Sequence, residues 1–186
     1  MSSDTIKQFI VSVYAENHIG LAGRLMQIFT RRKINIDSLT TSESEIEGIY
    51  RFTIVIHVSQ EQVIKVVHQI KKIVDVMVAF YFNENEVVFQ EIALYKIKSS
   101  TLLGSNVEKV VRKSAARILY VDQEFTVIEK TGHKEETQEL FDKLKPFGIL
   151  EFVRSGRVAI ARPMPSLHSW LEEVGLTDKF VVNSKN

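Results

Sequence analysis

Residues Glu16 to Thr40, ENHIGLAGRLMQIFTRRKINIDSLT, carry the most informative pattern in this chain. The apolar run before them, FIVSVY at positions 9–14, is typical of a β-strand. A polar loop then ends at Gly20, after which apolar residues recur at spacings of three and four, at Leu21, Leu25, Ile28 and Phe29. This period predicts an amphipathic helix, and a second strand is expected from Ile34.

The loop between this strand and the helix has features of a site for a small anion or zwitterion. Backbone N–H groups at a helix start, with the positive end of the helix dipole, favour a carboxylate or a phosphate. Gly20 lets the backbone approach such a ligand, and Asn17 adds an amide that both donates and accepts. A polar loop with one glycine is most often only a connection. The pattern alone leaves both interpretations open.

Three short motifs in this stretch resemble one protein family. They are Asn17-x-x-Gly20-Leu21-Ala22, Phe29-x-x-Arg32 and Asn35-Ile36-Asp37-Ser38-Leu39-Thr40. Together they closely resemble the amino-acid-binding ACT domain of the acetolactate synthase (acetohydroxyacid synthase) regulatory small subunit. The resemblance covers about the first 80 residues and continues more weakly to about residue 162. The chain departs from the family at Lys33, where a glycine is usual, so we expect a different turn into the second strand.

Length and composition are those of an ordinary globular protein. The 186 residues suffice for one domain or two small ones, with 45% hydrophobic and 25% charged residues and a formal net charge of +1. We therefore expect no nucleic-acid partner, and because no apolar run approaches ~20 residues, no membrane partner. The absence of cysteine excludes disulfides, thiolate catalysis and Cys-ligated zinc. With no signal-peptide pattern, a cytoplasmic location is expected.

The first 82 residues predict the order strand, helix, strand, strand, helix, strand. The expected strands are 7–14, 34–41, 50–58 and 74–82, and the first helix is 21–32. Ser59 fits an N-cap of the second helix with Gln62 three residues later, and its apolar stripe comprises Val63, Val66, Val67 and Ile70. This βαββαβ order is the ferredoxin-like arrangement, which places both helices on one face of a four-stranded sheet.

The same order repeats after a polar break at residues 83–86. The expected elements are a strand at 87–98, a helix capped by Ser105 or Asn106, strands at 118–121 and 125–129, a helix at 134–144, and strands at 147–153 and 158–161. The motif Pro146-x-Gly148-Ile149-x-Glu151-x-x-Arg154-Ser155-Gly156 resembles the C-terminal domain of the same small-subunit family. We predict an α+β chain of two consecutive ferredoxin-like βαββαβ units, with an ACT domain at 1–82, a linker at 83–86 and a C-terminal domain at 87–162.

The last stretch, 163–186, differs in character. Prolines break structure at its start, and apolar residues then follow at helical spacing, at Leu167, Trp170, Leu171 and Val174. A short helix is marginal alone in water, so we expect it to dock on this protein's own body or on a dimer mate. A catalytic partner is the less favoured surface.

Patterns for catalysis and metal binding are not found. The five histidines, at 18, 57, 68, 133 and 168, lack metal-ligand spacing, and no glycine-rich phosphate loop occurs. His18 could tune binding with pH or simply be solvated, Asp75 is expected in a solvated turn, and His57 needs no function. The cluster Arg31-Arg32-Lys33 fits either an acidic partner surface or a helix end that complements the dipole.

RNA binding is the alternative function that ferredoxin-like sheets raise. Such platforms display aromatic residues in a pattern that includes Gly-Phe, on a basic domain. This chain has Tyr50-Arg51-Phe52 without that glycine, and it is nearly neutral. The sequence therefore argues against RNA binding.

The resemblance implies a regulatory subunit without an active site or cofactor of its own. In that family the large catalytic subunit carries thiamine diphosphate, magnesium and FAD, and the small subunit activates it and transmits feedback inhibition, commonly by valine. ACT domains of this type form homodimers side by side, with the effector at the interface. The matching effector-binding positions are Asn17, Gly20, Leu21 and Ala22 of one protomer with Asn35 and Ile36 of its neighbour.

A stand-alone ACT-type sensor that regulates another enzyme or regulator is the alternative. It would bind an amino acid but would not activate acetolactate synthase. The sequence does not distinguish valine, leucine and isoleucine, which differ by about one methylene or ~1 kcal/mol. It does not identify the surface that contacts the large subunit, for which we favour the ACT domain over the tail.

Overall fold

The computed structural model describes residues 5–104 and 106–162. Contacts between Cα atoms divide them into two compact units, one formed by residues 5–88 with 159–162 and the other by residues 89–158. The expected tail helix at 163–186 and the capping role of Ser105 lie outside the described residues.

The first unit has the predicted βαββαβ order. Its elements are β1 (Lys7–Glu16), α1 (Leu21–Arg31), β2 (Ile36–Glu43), β3 (Ile49–Val58), α2 (Gln60–Ile70) and β4 (Val76–Asn83). The strands are paired antiparallel in the order β2-β3-β1-β4, so β1 and β3 are central and β2 and β4 are at the edges. A turn of 3-10 helix, Glu84–Glu86, follows β4.

The core of this unit lies between the helices and one face of the sheet. Alternate β1 residues from Phe9 to Ala15 are fully buried there, as are Leu25 and Phe29 of α1. The predicted stripe of α2 is buried along its whole length. Its predicted cap is also confirmed, because Gln62 N donates to Ser59 Oγ at 3.3 Å and Ser59 N donates to Gln62 Oε1 at 3.1 Å.

The turn after α1 corrects the expectation for Lys33. Lys33 N donates to Thr30 O and Ile34 N donates to Phe29 O, both at 3.0 Å, which is a Schellman motif. Lys33 has φ 54°, so a lysine adopts the left-handed conformation that glycine favours. The expected different turn is therefore wrong, because the chain keeps a glycine-type turn without a glycine. Ile34, which follows this turn, is buried in the same core as Phe29. Because of this turn, β2 begins at Ile36 and not at the expected Ile34.

The second unit repeats the topology. Its elements are β5 (Val87–Lys98), α3 (Ser99–Gly104), α4 (Val107–Lys113), β6 (Arg117–Val121), β7 (Phe125–Gly132), α5 (Lys134–Leu144) and β8 (Ile149–Arg154), in the sheet order β6-β7-β5-β8. A further strand, β9 (Val158–Ala161), pairs with β5.

Helix α3 was not expected from the sequence. Its first residues, Ser99, Ser100 and Thr101, carry no apolar period, and only tertiary contacts stabilise a helix there. Ser99 Oγ lies 2.9 Å from Thr126 Oγ1 of β7, and Leu102 packs on the core of this unit. Asn106 occupies the N-cap position of α4, but its side chain makes no capping bond.

We predict that Lys33→Gly stabilises the protein by about 0.5–1 kcal/mol. The substitution removes the left-handed backbone penalty of an L-residue, which exceeds the entropy that glycine adds to the unfolded chain. The measurement is the free energy of unfolding from urea titration. Lys71→Gly is the matched control, because Lys71 follows α2 with an ordinary φ of −61°. There the same change should destabilise the protein. Equal effects at both positions would contradict this account.

Candidate functional site

The backbone conformation of the loop between β1 and α1 leaves open space beside Gly20. Gly20 is at the N-cap position of α1 with φ 85° and ψ −5°, a left-handed conformation that suits glycine. Leu21 N donates to His18 O at 3.1 Å, and Arg24 N donates to Gly20 O at 3.0 Å. A Cβ atom at Gly20 would meet no atom within 4 Å, so the space beside this residue is open.

The start of α1 offers free hydrogen-bond donors. Among the described residues no side chain caps the helix, and its first turn contains no acidic residue. Ala22 and Gly23 are exposed in this turn, where backbone N–H groups have no acceptor within the helix. Asn17 is also exposed, and its backbone N–H donates to Gly48 O at 3.1 Å. These groups suit a carboxylate.

Asp75, from the segment between α2 and β4, fixes this loop in place. Its backbone oxygen accepts from Glu16 N at 2.9 Å, its Oδ1 accepts from His18 Nδ1 at 2.7 Å, and its Oδ2 pairs with Arg24. The Asp75 side chain is only 12% exposed, which corrects the expected solvated turn. No local pattern predicts this contact, because His18 and Asp75 are 57 positions apart.

The ionised form of Asp75 is stabilised in the folded protein. The hydrogen bond from His18 is the main cause that lowers the pKa of this carboxyl, and the charge of Arg24 adds to it while burial opposes it. A carboxylate only accepts, so His18 Nδ1 carries the shared proton.

The structure separates the predicted effector residues into two groups. Asn17, Gly20 and Ala22 are exposed at the end of the sheet where β1 finishes. Asn35 and Ile36 lie at the other end, because Ile36 pairs with Ile56, which pairs with Phe9. Phe9 and Glu16 are seven positions apart in β1, which corresponds to about 24 Å. One chain alone does not bring the two groups together.

Leu21, one of the expected effector-binding residues, lies in the core at the start of α1. Its side chain is 2% exposed in the core of the first unit, and its N–H already bonds to His18 O. Ile36 is half-buried against the same core, whereas Asn35 is exposed. The position after Ile36 forms a bulge in the β2–β3 pairing, where Asp37 hydrogen-bonds to His57 Nδ1. His57, expected to need no function, is therefore part of a contact between these two strands.

A cavity of about 530 Å³ lies beside the loop. Its lining comprises Glu16, Asn17, His18, Glu43, Glu47, Gly48, Ile49 and Tyr50. Its three carboxylates favour a cation or an ammonium group. The open N–H groups of α1 are nearby along the chain, so the loop region has donors for a carboxylate as well as an acidic cavity.

Neither a cluster of metal ligands nor a membrane-spanning helix occurs within residues 5–104 and 106–162. In the part of the chain that the structure describes, no group of three or more His, Asp or Glu side chains could hold a metal ion. No helix within 5–104 or 106–162 is long and apolar enough to cross a membrane.

The repeated topology and the open helix start place this protein among those built from ferredoxin-like modules of the ACT type. Residues 11–78 match the family model described as the AHAS small subunit-like ACT domain, and residues 90–163 match the small subunit of acetolactate synthase. The chain belongs to the acetolactate synthase small-subunit family.

Individual relatives agree with this assignment. The acetolactate synthase small subunit of Bacillus subtilis is 30% identical over 154 residues, which cover 82% of this chain and 90% of that protein. The small subunit of Mycolicibacterium smegmatis is 30% identical over 152 residues, covering 82% and 89%. The crystal structure of the Thermotoga maritima small subunit superposes with a TM-score of 0.77 at 26% identity, covering 86% of this chain and 100% of that one.

We predict that Asp75→Asn destabilises the protein at pH 7 and that its effect shrinks in acid. When folding lowers the pKa of a carboxyl, the ionised carboxyl stabilises the folded protein. This stabilisation is fully present above the ordinary pKa of 3.8, and it is lost as the pH falls through the lower folded pKa. Urea unfolding at pH 7 and at about pH 2 measures the difference from wild type. Asp142→Asn, at an exposed position of α5, is the control and should show little effect. A destabilisation of equal size at both pH values would contradict the ion-pair role.

Proposed function

We propose that this chain is the non-catalytic regulatory subunit of acetolactate synthase. It activates the large catalytic subunit and confers feedback inhibition by a branched-chain amino acid, valine, in branched-chain amino acid biosynthesis in the cytoplasm. The large subunit carries thiamine diphosphate, magnesium and FAD, and this chain contributes no cofactor. The single observation that carries the proposal is the uncapped start of α1 beside an exposed Asn17, in a chain of the small-subunit family.

The effector is an amino acid whose carboxylate, ammonium and side chain are each bound by different residues. The N–H groups of Ala22 and Gly23 and the Asn17 amide bind its carboxylate. Asn35 and nearby β2 carbonyl oxygens bind its ammonium, and exposed atoms beside Ile36 contact its branched side chain. Leu21 contributes by anchoring the helix start in the core. In this arrangement residues 1–82 are the regulatory ACT domain and residues 87–162 the C-terminal domain.

The separation of these residues favours a site shared by two chains. Within the residues that the structure describes, β2 lies at an edge of the sheet. A two-fold axis perpendicular to the sheet would pair β2 antiparallel with its copy and put the start of one β2 beside the end of the other. Asn35 of the partner subunit then moves toward the end of the sheet that carries the Asn17 loop. The proposed homodimer therefore joins the two halves of the site.

Regulation requires only a modest affinity for the effector and a modest coupling between the effector site and the catalytic subunit. Valine has few atoms, so binding of ~5–6 kcal/mol is reasonable, which corresponds to a dissociation constant of roughly tens to hundreds of micromolar. A coupling free energy of ~1–3 kcal/mol between the effector site and the catalytic subunit suffices for regulation.

Isothermal titration with valine, leucine and isoleucine, with glycine as a control, tests the effector. We expect saturable binding of valine to the full chain, and loss of that binding in Asn17→Ala. An assay of the large subunit with and without this chain tests activation. Binding without activation would support the stand-alone sensor, and neither binding nor activation would contradict the proposed function.

We predict that Gly20→Asp abolishes feedback inhibition and leaves activation within about twofold of wild type. The new carboxylate lies where the effector's carboxylate binds, and like charges repel. The measurement is activity of the large subunit with each variant at increasing valine concentration.

Gly20→Asn is the matched control for this experiment. Asparagine has the size of aspartate and tolerates a left-handed backbone similarly, but it adds no charge. It should retain much of the inhibition. Normal inhibition of a folded Gly20→Asp complex would show that the effector carboxylate binds elsewhere.

A further inference from the structure

The outer faces of α1 and α2 form a groove of about 600 Å³, and the charged residues that line it in the described part of the chain are all basic. It is lined by Arg24, Ile28, Arg31, Arg32, Gln69, Lys72 and Ile73, which we call the interhelical groove. Four of these residues are cations and none is acidic, although the whole chain has a formal net charge of only +1. Positive charge is therefore concentrated here.

Two of the four cations are already engaged. Arg24 pairs with Asp75, and Arg32 Nε donates to Gln69 Oε1 at 2.9 Å. Arg31 and Lys72 are exposed, and within residues 5–104 and 106–162 neither has an ion-pair partner. One belongs to α1 and the other follows α2, so the groove presents a free cation from each helix segment.

The groove also has an apolar component. Ile28 and Ile73 are half-buried in its lining and pack against the core of the first unit. A free inorganic anion would use the cations and leave these apolar atoms in water. A protein segment with carboxylates beside an apolar side chain would pair with the cations and cover the isoleucines.

We infer that the interhelical groove docks an acidic, amphipathic segment of the large catalytic subunit, an inference that rests on the proposed function. The groove lies on the helix face of the sheet, whereas the proposed dimer uses the edge of β2, so one pair of chains presents two such grooves. Arg31 and Lys72 form ion pairs with the segment, and Ile28 and Ile73 contact its apolar residue. Charge complementarity makes the association fast and dependent on salt.

The test is a titration of the large subunit with this chain, recording the concentration that gives half-maximal activation at low and at high salt. Arg31→Glu/Lys72→Glu should raise that concentration at least tenfold and reduce its dependence on salt. The neutral pair Arg31→Gln/Lys72→Gln should give a smaller shift in the same direction and covers the case in which charge reversal prevents folding.

The matched control is Lys109→Glu/Lys113→Glu. It makes the same change of net charge at exposed positions of α4, and Lys113 ends that helix as Arg31 ends α1. It should activate like wild type. If wild type activates and both groove variants match the control, the groove is not the docking surface. If wild type itself does not activate, the proposed function and this inference both fail.

Discussion

β1 is the strand on which the first unit depends. It is hydrogen-bonded to β3 along one edge and to β4 along the other, and its inward residues form the floor beneath both helices. The N–H of its last residue, Glu16, also donates to Asp75 O, and this bond helps to hold the loop before α1. Because β1 runs the full length of the sheet, the residues that follow it and those that begin β2 lie at opposite ends. Any site that uses both groups requires two chains.

The two units share a topology but differ at the position where a ligand would bind. In the first unit a polar loop separates β1 from α1, and the helix start is uncapped. In the second unit β5 ends at Lys98 and α3 begins at Ser99 without such a loop. The same Schellman turn follows a helix in each unit. Ala115 after α4 adopts the left-handed conformation that Lys33 adopts after α1. The topology is thus repeated, and the proposed effector function belongs to the first unit alone.

Features that depend on neighbouring residues were predictable from the sequence. The cap and stripe of α2 are set by residues within a few turns, and α5 has the predicted limits, Lys134–Leu144. Features that depend on tertiary contacts were not. Asp75 resembled a solvated turn residue because its partner His18 is distant in sequence. Lys33 in a left-handed turn contradicts local propensity, whereas the burial of Leu21 follows from the apolar period of α1.

The proposed effector site takes residues from two chains, and a subunit-mixing experiment tests this arrangement. Asn17→Ala and Asn35→Ala should each lose valine binding when pure. If each site takes Asn17 from one chain and Asn35 from the other, a mixed dimer regains one intact site. Random re-association of equal amounts should then restore about a quarter of the wild-type sites in a valine titration. No restored binding in a sample proven to contain mixed dimers would contradict the shared site.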